Sequence, residues 1–364
     1  MSPLLNILKN KKLQLPLMYK NGESSSIELL ENVFDELLEE ASKPENFVII
    51  GKENYDKITT YSVKIIATIS RWFEGNISEA KKTFDATLKE RLLLLPRKIV
   101  PSGQCFYRVR ISNEHKILGK KDLFHIPFEL RNKISSQRFS IPGFPCLYLG
   151  NTVYICWEEL NRPNFHDIQV AKFENQSEIN LYNLSYEQYN VEKLIIQSPT
   201  NNDLIDLLLS YPIIAACSIQ VPQNRQLDPF KPEYVIPQII LQTLMEQKDT
   251  NSIGVVYSST KIFKEESKNK GNFENFILPT TSEVRAKGYC TDLTKLFNMT
   301  SVVAGWPVDF VSSYNTQNDS CSFEVAKLDL DGIVVNYGDT QFALLEKALA
   351  DKVATPILKD FIGT

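Results

Sequence analysis

Between Gln137 and Leu160 the chain joins an arginine, Arg138, to a Pro-Gly turn, a tyrosine in an apolar run and two successive glutamates. A guanidinium offers paired N–H donors to an anion, an aromatic ring offers a face to a cation, and a carboxylate offers negative charge. Pro142 and Gly143 break any helix and bend the backbone, and Pro145 leads into Cys146-Leu147-Tyr148-Leu149. That run reads as a strand ended by Gly150-Asn151, and residues 152–160 are long enough for a short helix. Such a helix carries Glu158 and Glu159 back toward the strand, so that a polar aromatic and a carboxylate face one cleft.

The elements around this unit change character along the chain. Residues 1–97 read as helical: Ser25-Ser26-Ile27-Glu28 offers a capping box, and Ile27, Leu30, Val33, Phe34, Leu37, Leu38 and Ala41 recur at helical spacing. A second helix is expected over 55–73 and closes at Gly75, and a third runs from Asn76 to a stop near Pro96. Apolar stripes of this kind pack on a core, and they also supply a surface for self-association. From Cys105 the period shortens, with strands predicted at 106–111, 146–149, 168–173, 213–221 and 253–257. Helices are expected at 202–210 and 233–247, a charged loop containing Glu265 and Glu266 at 261–272, and renewed order at 273–278. Beyond residue 300 the sequence predicts a strand at 332–336 and a helix at 341–353.

A chain of 364 residues can bury a full core without staples. Its 43% hydrophobic and 23% charged composition is that of an ordinary globular protein, and a formal charge of -4 argues against a general polyanion-binding surface, hence against nucleic acid. No apolar run reaches the ~18 residues of a membrane span, and the N-terminus lacks the apolar core of a signal peptide, which predicts a cytoplasmic protein. Six scattered cysteines without a CxxC pair read as buried reduced thiols. P-loop, Rossmann, zinc and Gly-x-Ser-x-Gly signatures are absent. His125 reads as a structural histidine rather than a base.

Four segments occur in an order that resembles the RES domain family: Tyr107-Arg108-Val109-Arg110, the Arg138-to-Leu149 segment, Glu159 and Val256-Tyr257-Ser258-Ser259. The family is named for its Arg, Glu and Ser, and its known members are NAD-consuming toxins related to ADP-ribosyltransferases. The resemblance covers roughly residues 100–300. Phe139-Ser140 stands where the family often carries Trp-Asn or Tyr-Asn. Glu158 beside Glu159, and Ser258 beside Ser259, leave each of these two positions open by one residue.

The resemblance implies an α+β fold: a helical N-terminal region (1–97), a RES core like that of ADP-ribosyltransferases (98–300), and a C-terminal extension (301–364) packed on the core. The core would consist of small curved β-sheets with flanking helices and carry a large insertion around 161–250. It further implies cleavage of NAD at the nicotinamide glycosidic bond, by a glycohydrolase or a phosphorylase, in a toxin or defence effector. Glu159 would stabilise the oxocarbenium-like transition state, and Arg108 with Arg138 would bind the pyrophosphate. Tyr148 would stack on the nicotinamide ring, and Ser259 would hydrogen-bond the ribose or amide. Arg138 serves equally well as a fold-holding partner of Glu129 or another acid. NAD is then a substrate, with no separate cofactor or metal. An antitoxin or immunity protein and a second copy of the chain are the implied partners. The alternatives are ADP-ribosyl transfer to a protein and a non-catalytic interaction module that retains the fold.

Overall fold

The computed structural model describes residues 2–20, 23, 25–112, 116–247, 252–262, 270–280, 287–305, 325–330 and 332–357. The fold is α+β and divides into two units. One comprises Met1–Pro96, Ser136–Ile141 and Asn183–Thr250; the other comprises Arg97–Ser135, Pro142–Tyr182 and Asn251–Thr364. The expected insertion around 161–250 is therefore split. Its first part supplies sheet strands, and residues from Asn183 onward join the N-terminal helices.

The first unit is helical. Helix Ser26–Ser42 begins where the Ser25 hydroxyl accepts the Glu28 N–H at 3.1 Å, and its stripe of Leu29, Leu30, Val33, Phe34, Leu37 and Ala41 is buried. Helix Pro44–Phe73 starts earlier than expected because Pro44 suits a first turn, and Gly51 (φ 74) marks a kink within it. Helix Asn201–Cys217 overturns the strand predicted at 213–221. The run Ile213 to Cys217 is buried on all sides, so neither a helical nor a strand period shows in its sequence, and the helix continues through Pro212. Beyond it, Ile219 makes only an isolated bridge with Leu17. Arg91 ties this helix through Asp206 and Ser210, and Tyr211 donates to the Leu13 carbonyl at 2.7 Å. Ile58, Ile65 and Ile69 of the second stripe are buried as well, while Ile27 and Leu38 of the first are only partly covered.

The second unit holds the strands β1 (Arg97–Val100), β2 (Cys105–Ile111), β3 (Cys146–Gly150), β4 (Ile168–Asn175), β5 (Ile179–Asn183), β6 (Gly254–Ser258), β7 (Lys270–Gly271), β8 (Glu274–Pro279), β9 (Phe297–Met299), β10 (Val303–Ala304), β11 (Val325–Leu330), β12 (Ile333–Asn336) and β13 (Thr355–Pro356). Instead of several small sheets, one ten-stranded sheet runs β1-β5-β6-β8-β3-β2-β4-β9-β13, with β10 paired to β4. A three-stranded sheet, β12-β11-β7, accompanies it. Alternation along the strands gives the large sheet two apolar faces. Phe106, Leu147, Leu149, Phe173 and Phe276 lie in one cluster, and Tyr107, Val109, Tyr154, Val170 and Phe342 in the other. The C-terminal helix is Gln341–Ala350. Expected residues Glu265 and Glu266, together with Cys321, lie outside the described residues; among the described residues the five other cysteines form no disulfide. Among the described residues no helix is long and apolar enough to cross a membrane, and no group of three or more His, Cys, Asp or Glu could hold a metal ion.

His125 is a structural histidine. It is 1% exposed, its Nδ1–H donates to the Ile126 carbonyl at 2.8 Å, and its Nε2 accepts the Cys290 N–H at 2.9 Å. Burial is the main reason its pKa falls to about 4, and the Arg108 charge adds to it.

Two outcomes follow from this packing. Deleting residues 1–96 strips the apolar partners from helix Asn201–Cys217 and should give an insoluble fragment; a soluble fragment from Arg97, seen by size exclusion, would contradict it. Neutral His125 stabilises the fold fully above its unfolded pKa of about 6.5, and that contribution, about 3 kcal/mol, is lost as pH falls from there toward 4. Denaturant titrations should show this acid-side slope in the wild type and a flatter one in His125→Gln. Equal slopes would show that His125 does not carry it.

Candidate functional site

The site is built where β2 and β3 part. β2 pairs with β4 along its length, whereas its described pairing with β3 is the single position Tyr107–Gly150. The strands diverge beyond that point, and the Arg108 guanidinium donates to the Tyr148 carbonyl at 3.5 Å. Arg110, two residues on, shares the face of β2 with Arg108. Burial lowers the Arg108 pKa to about 10, and the like charge of Arg110 adds to the effect, so Arg108 stays cationic at neutral pH. Among the described residues no carboxylate pairs with either arginine. Both cations are half-buried with no acid partner among the described residues, an arrangement suited to an anion.

The helix after β3 approaches the sheet very closely. A Cβ on Gly150 would lie 2.7 Å from Ile155 Cγ2 and 2.8 Å from Cys156 Sγ, so only glycine lets helix Val153–Glu159 pack there. The Thr152 hydroxyl caps it by accepting the Ile155 N–H at 3.2 Å. Cys156 Sγ donates to the Tyr107 carbonyl at 3.2 Å, and burial pushes the thiol up to about 12. The Arg108 charge opposes that rise, while the Glu346 and Glu159 carboxylates add to it.

The two adjacent glutamates part company. Glu158 is 4% exposed and its carboxylate is bound by Arg162 at 3.0 Å, with that guanidinium also over the Trp157 ring. Glu159, at 30% exposure, ends the helix and faces β6 and β8. Its Oε1 accepts from the Ser259 hydroxyl at 2.7 Å and from Asn275 Nδ2 at 2.8 Å. Lys261 Nζ donates to the Glu159 carbonyl at 2.7 Å and to Asn161 Oδ1 at 2.7 Å, and lies 3.9 Å from Glu159 Oε2. Asn161 and Arg162 both adopt left-handed backbone (φ 62 and 54), so the turn behind Glu159 is strained and strapped by these contacts. Glu159 thus meets Ser259, whereas Glu158 is held by Arg162 and Ser258 lies in β6 opposite Glu274.

Tyr148 is half-buried on β3, and burial holds its hydroxyl well above the ordinary tyrosine range. It offers an aromatic surface and a neutral O–H, never a base at physiological pH. Arg138 takes another place. It belongs to the helical unit, where its guanidinium donates to the Cys217 carbonyl at 3.1 Å and the Ile219 carbonyl at 2.9 Å and lies over the Tyr234 ring. Glu129, the acid named as its possible partner, instead accepts the Gly288 N–H. The structure brings Glu159 and Ser259 together and places Arg108 and Tyr148 on adjoining strands.

Asn275, Lys261 and Arg110 were not singled out by sequence reasoning. Arg110 could have been found by its period-two spacing from Arg108. Asn275 is aligned with Tyr257 and Gly150 across three strands, a register that no local pattern reveals.

No family model matches the chain, and no solved structure matches it. It is 31% identical over 317 residues to the Bacillus subtilis (strain 168) protein named "Putative toxin YopC", an alignment covering 83% of this chain and 70% of that protein. With that identity across most of both sequences, the chain belongs to the YopC family.

Proposed function

We propose that this protein is a toxin that cleaves NAD at the nicotinamide glycosidic bond. The toxin role rests on the name of its Bacillus relative, and the NAD chemistry on the motif resemblance together with the site. One observation carries the chemical reading: a carboxylate held by two donors shares a unit with two half-buried arginines that have no acid partner among the described residues.

The pyrophosphate of NAD supplies a dianion for Arg108 and Arg110, and guanidinium forks match its oxygens. Tyr148 lines the adjoining strand with an aromatic face suited to the cationic nicotinamide ring. As the C–N bond breaks, its electron pair stays on the ring nitrogen, nicotinamide leaves neutral, and positive charge develops on the ribose. Glu159 stabilises that charge. Ser259 and Asn275 fix its Oε1, so the carboxylate needs little reorganisation at the moment of reaction. Water then attacks the ribosyl cation and loses a proton to give ADP-ribose, or phosphate attacks to give its 1-phosphate. Mass spectrometry of NAD incubations with and without phosphate identifies the acceptor. Labelled protein instead of either small product would indicate ADP-ribosyl transfer.

Glu159→Gln should fold normally and lose about 10²- to 10³-fold in rate, as expected for removing one electrostatic contact to the transition state. Glu158→Gln should disturb the Arg162 pair and lower the melting temperature, with a smaller loss of rate. The reverse pattern would move the catalytic position to Glu158. Arg108→Lys keeps the charge and loses the fork, so KM for NAD should rise about tenfold or more. A normal KM with a lowered melting temperature would make Arg108 a structural residue.

A further inference from the structure

Helix Val153–Glu159 has seven residues, under two full turns, and a helix so short has little stability of its own. Its position is imposed from outside. Val153, Tyr154 and Ile155 are buried, and Phe342 of helix Gln341–Ala350 packs against Tyr154 and Trp157 with ring centroids 5.2 Å away in each case. At its N-terminal end, Glu346 Oε1 accepts the Val153 N–H at 2.7 Å and the Tyr337 hydroxyl at 2.5 Å. Glu346 is 3% exposed. An acidic acceptor there satisfies a free N–H and opposes the partial positive charge of the helix end. A rise of 1.5 Å per residue sets this contact about 9 Å along the axis from Glu159.

We propose that Glu346 is a positioning residue: a buried acceptor from the C-terminal segment that fixes helix Val153–Glu159 along its axis and so seats Glu159 beneath the Ser259 and Asn275 donors. The inference rests on reading Glu159 as the carboxylate of NAD cleavage. It gives residues 325–357 a part in the chemistry that their sequence does not announce. A merely structural Glu346 would change stability and leave turnover alone.

The test compares Glu346→Ala, Glu346→Gln and Tyr337→Phe in the full chain by kcat and KM for NAD, by hydrogen exchange at amides 153–159, and by iodoacetamide labelling of Cys156 located by mass. The Cys156 thiol is half-buried, donates to the Tyr107 carbonyl and has a raised pKa, so it labels slowly while the helix is seated. Glu346→Ala should lower kcat about 10- to 100-fold with KM little changed, as for a displaced catalytic group, while exchange accelerates and Cys156 labels faster. Glu346→Gln keeps an acceptor and should retain most of kcat. If Glu346→Ala does not fold, Tyr337→Phe decides, with a smaller change in the same three readouts expected. Wild-type kcat and exchange in the altered proteins, or a lowered melting temperature with unchanged kcat, overturns the proposal. Should the wild type leave NAD intact while exchange and Cys156 labelling still respond, the seating role of Glu346 stands and the NAD reading falls.

Discussion

The two hydrogen bonds that Ser259 and Asn275 donate to a single oxygen of Glu159 are the contacts that the site depends on. They require three separate placements to coincide. β6 must run its full pairing with β8 so that Ser259 follows directly after the strand, β8 must hold Asn275 opposite Gly150, and the short helix must end at Glu159 above them. Asn151 secures the corner between these pieces: its side chain donates to the Asn272 carbonyl at 2.9 Å and accepts the Glu274 N–H at 3.2 Å. Gly150 then sets how deeply the helix can descend. Binding one oxygen in this way restricts the rotamer of the carboxylate, and among the described residues Oε2 has the more distant Lys261 ammonium.

The arginines carry the opposite constraint. Taking a guanidinium out of water costs free energy that an acid partner normally offsets, and Arg108 has none among the described residues. Arg110 raises that cost. The large apolar faces of the sheet supply stability in excess of it, and an anionic ligand would recover it on binding. Arg91 and Arg162 show the contrasting case, each held by an acid and each bracing a helix.

Much of this was legible in the sequence because it is periodic or local. The stripe from Leu29 to Ala41, the strand through Tyr148 and the helix carrying the two glutamates all follow from spacing and from Pro and Gly signals over a few residues. The run Ile213 to Cys217 was misread because complete burial removes the polar face that distinguishes helix from strand. The sequence left Glu158 and Glu159 equivalent, and only the partners divide them: Arg162 four residues away claims one, while Ser259 and Asn275, a hundred or more residues away, claim the other. Arg138 was a plausible anion ligand by residue type, but its donors answer carbonyls at the end of a helix whose approach no local pattern encodes. Glu346 was invisible for the same reason, as a lone acid on an apolar C-terminal helix.

The central claim is that NAD lies with its pyrophosphate on the Arg108 face of β2 and its nicotinamide ribose at Glu159. A crystal structure of the slowed Glu159→Gln protein with NAD tests it most directly. The account predicts phosphate oxygens within hydrogen-bonding distance of the Arg108 and Arg110 guanidinium groups, the nicotinamide against Tyr148, and the ribose C1 facing residue 159. NAD bound elsewhere on the chain, or no NAD at millimolar concentration with the Arg108 face empty, would contradict it.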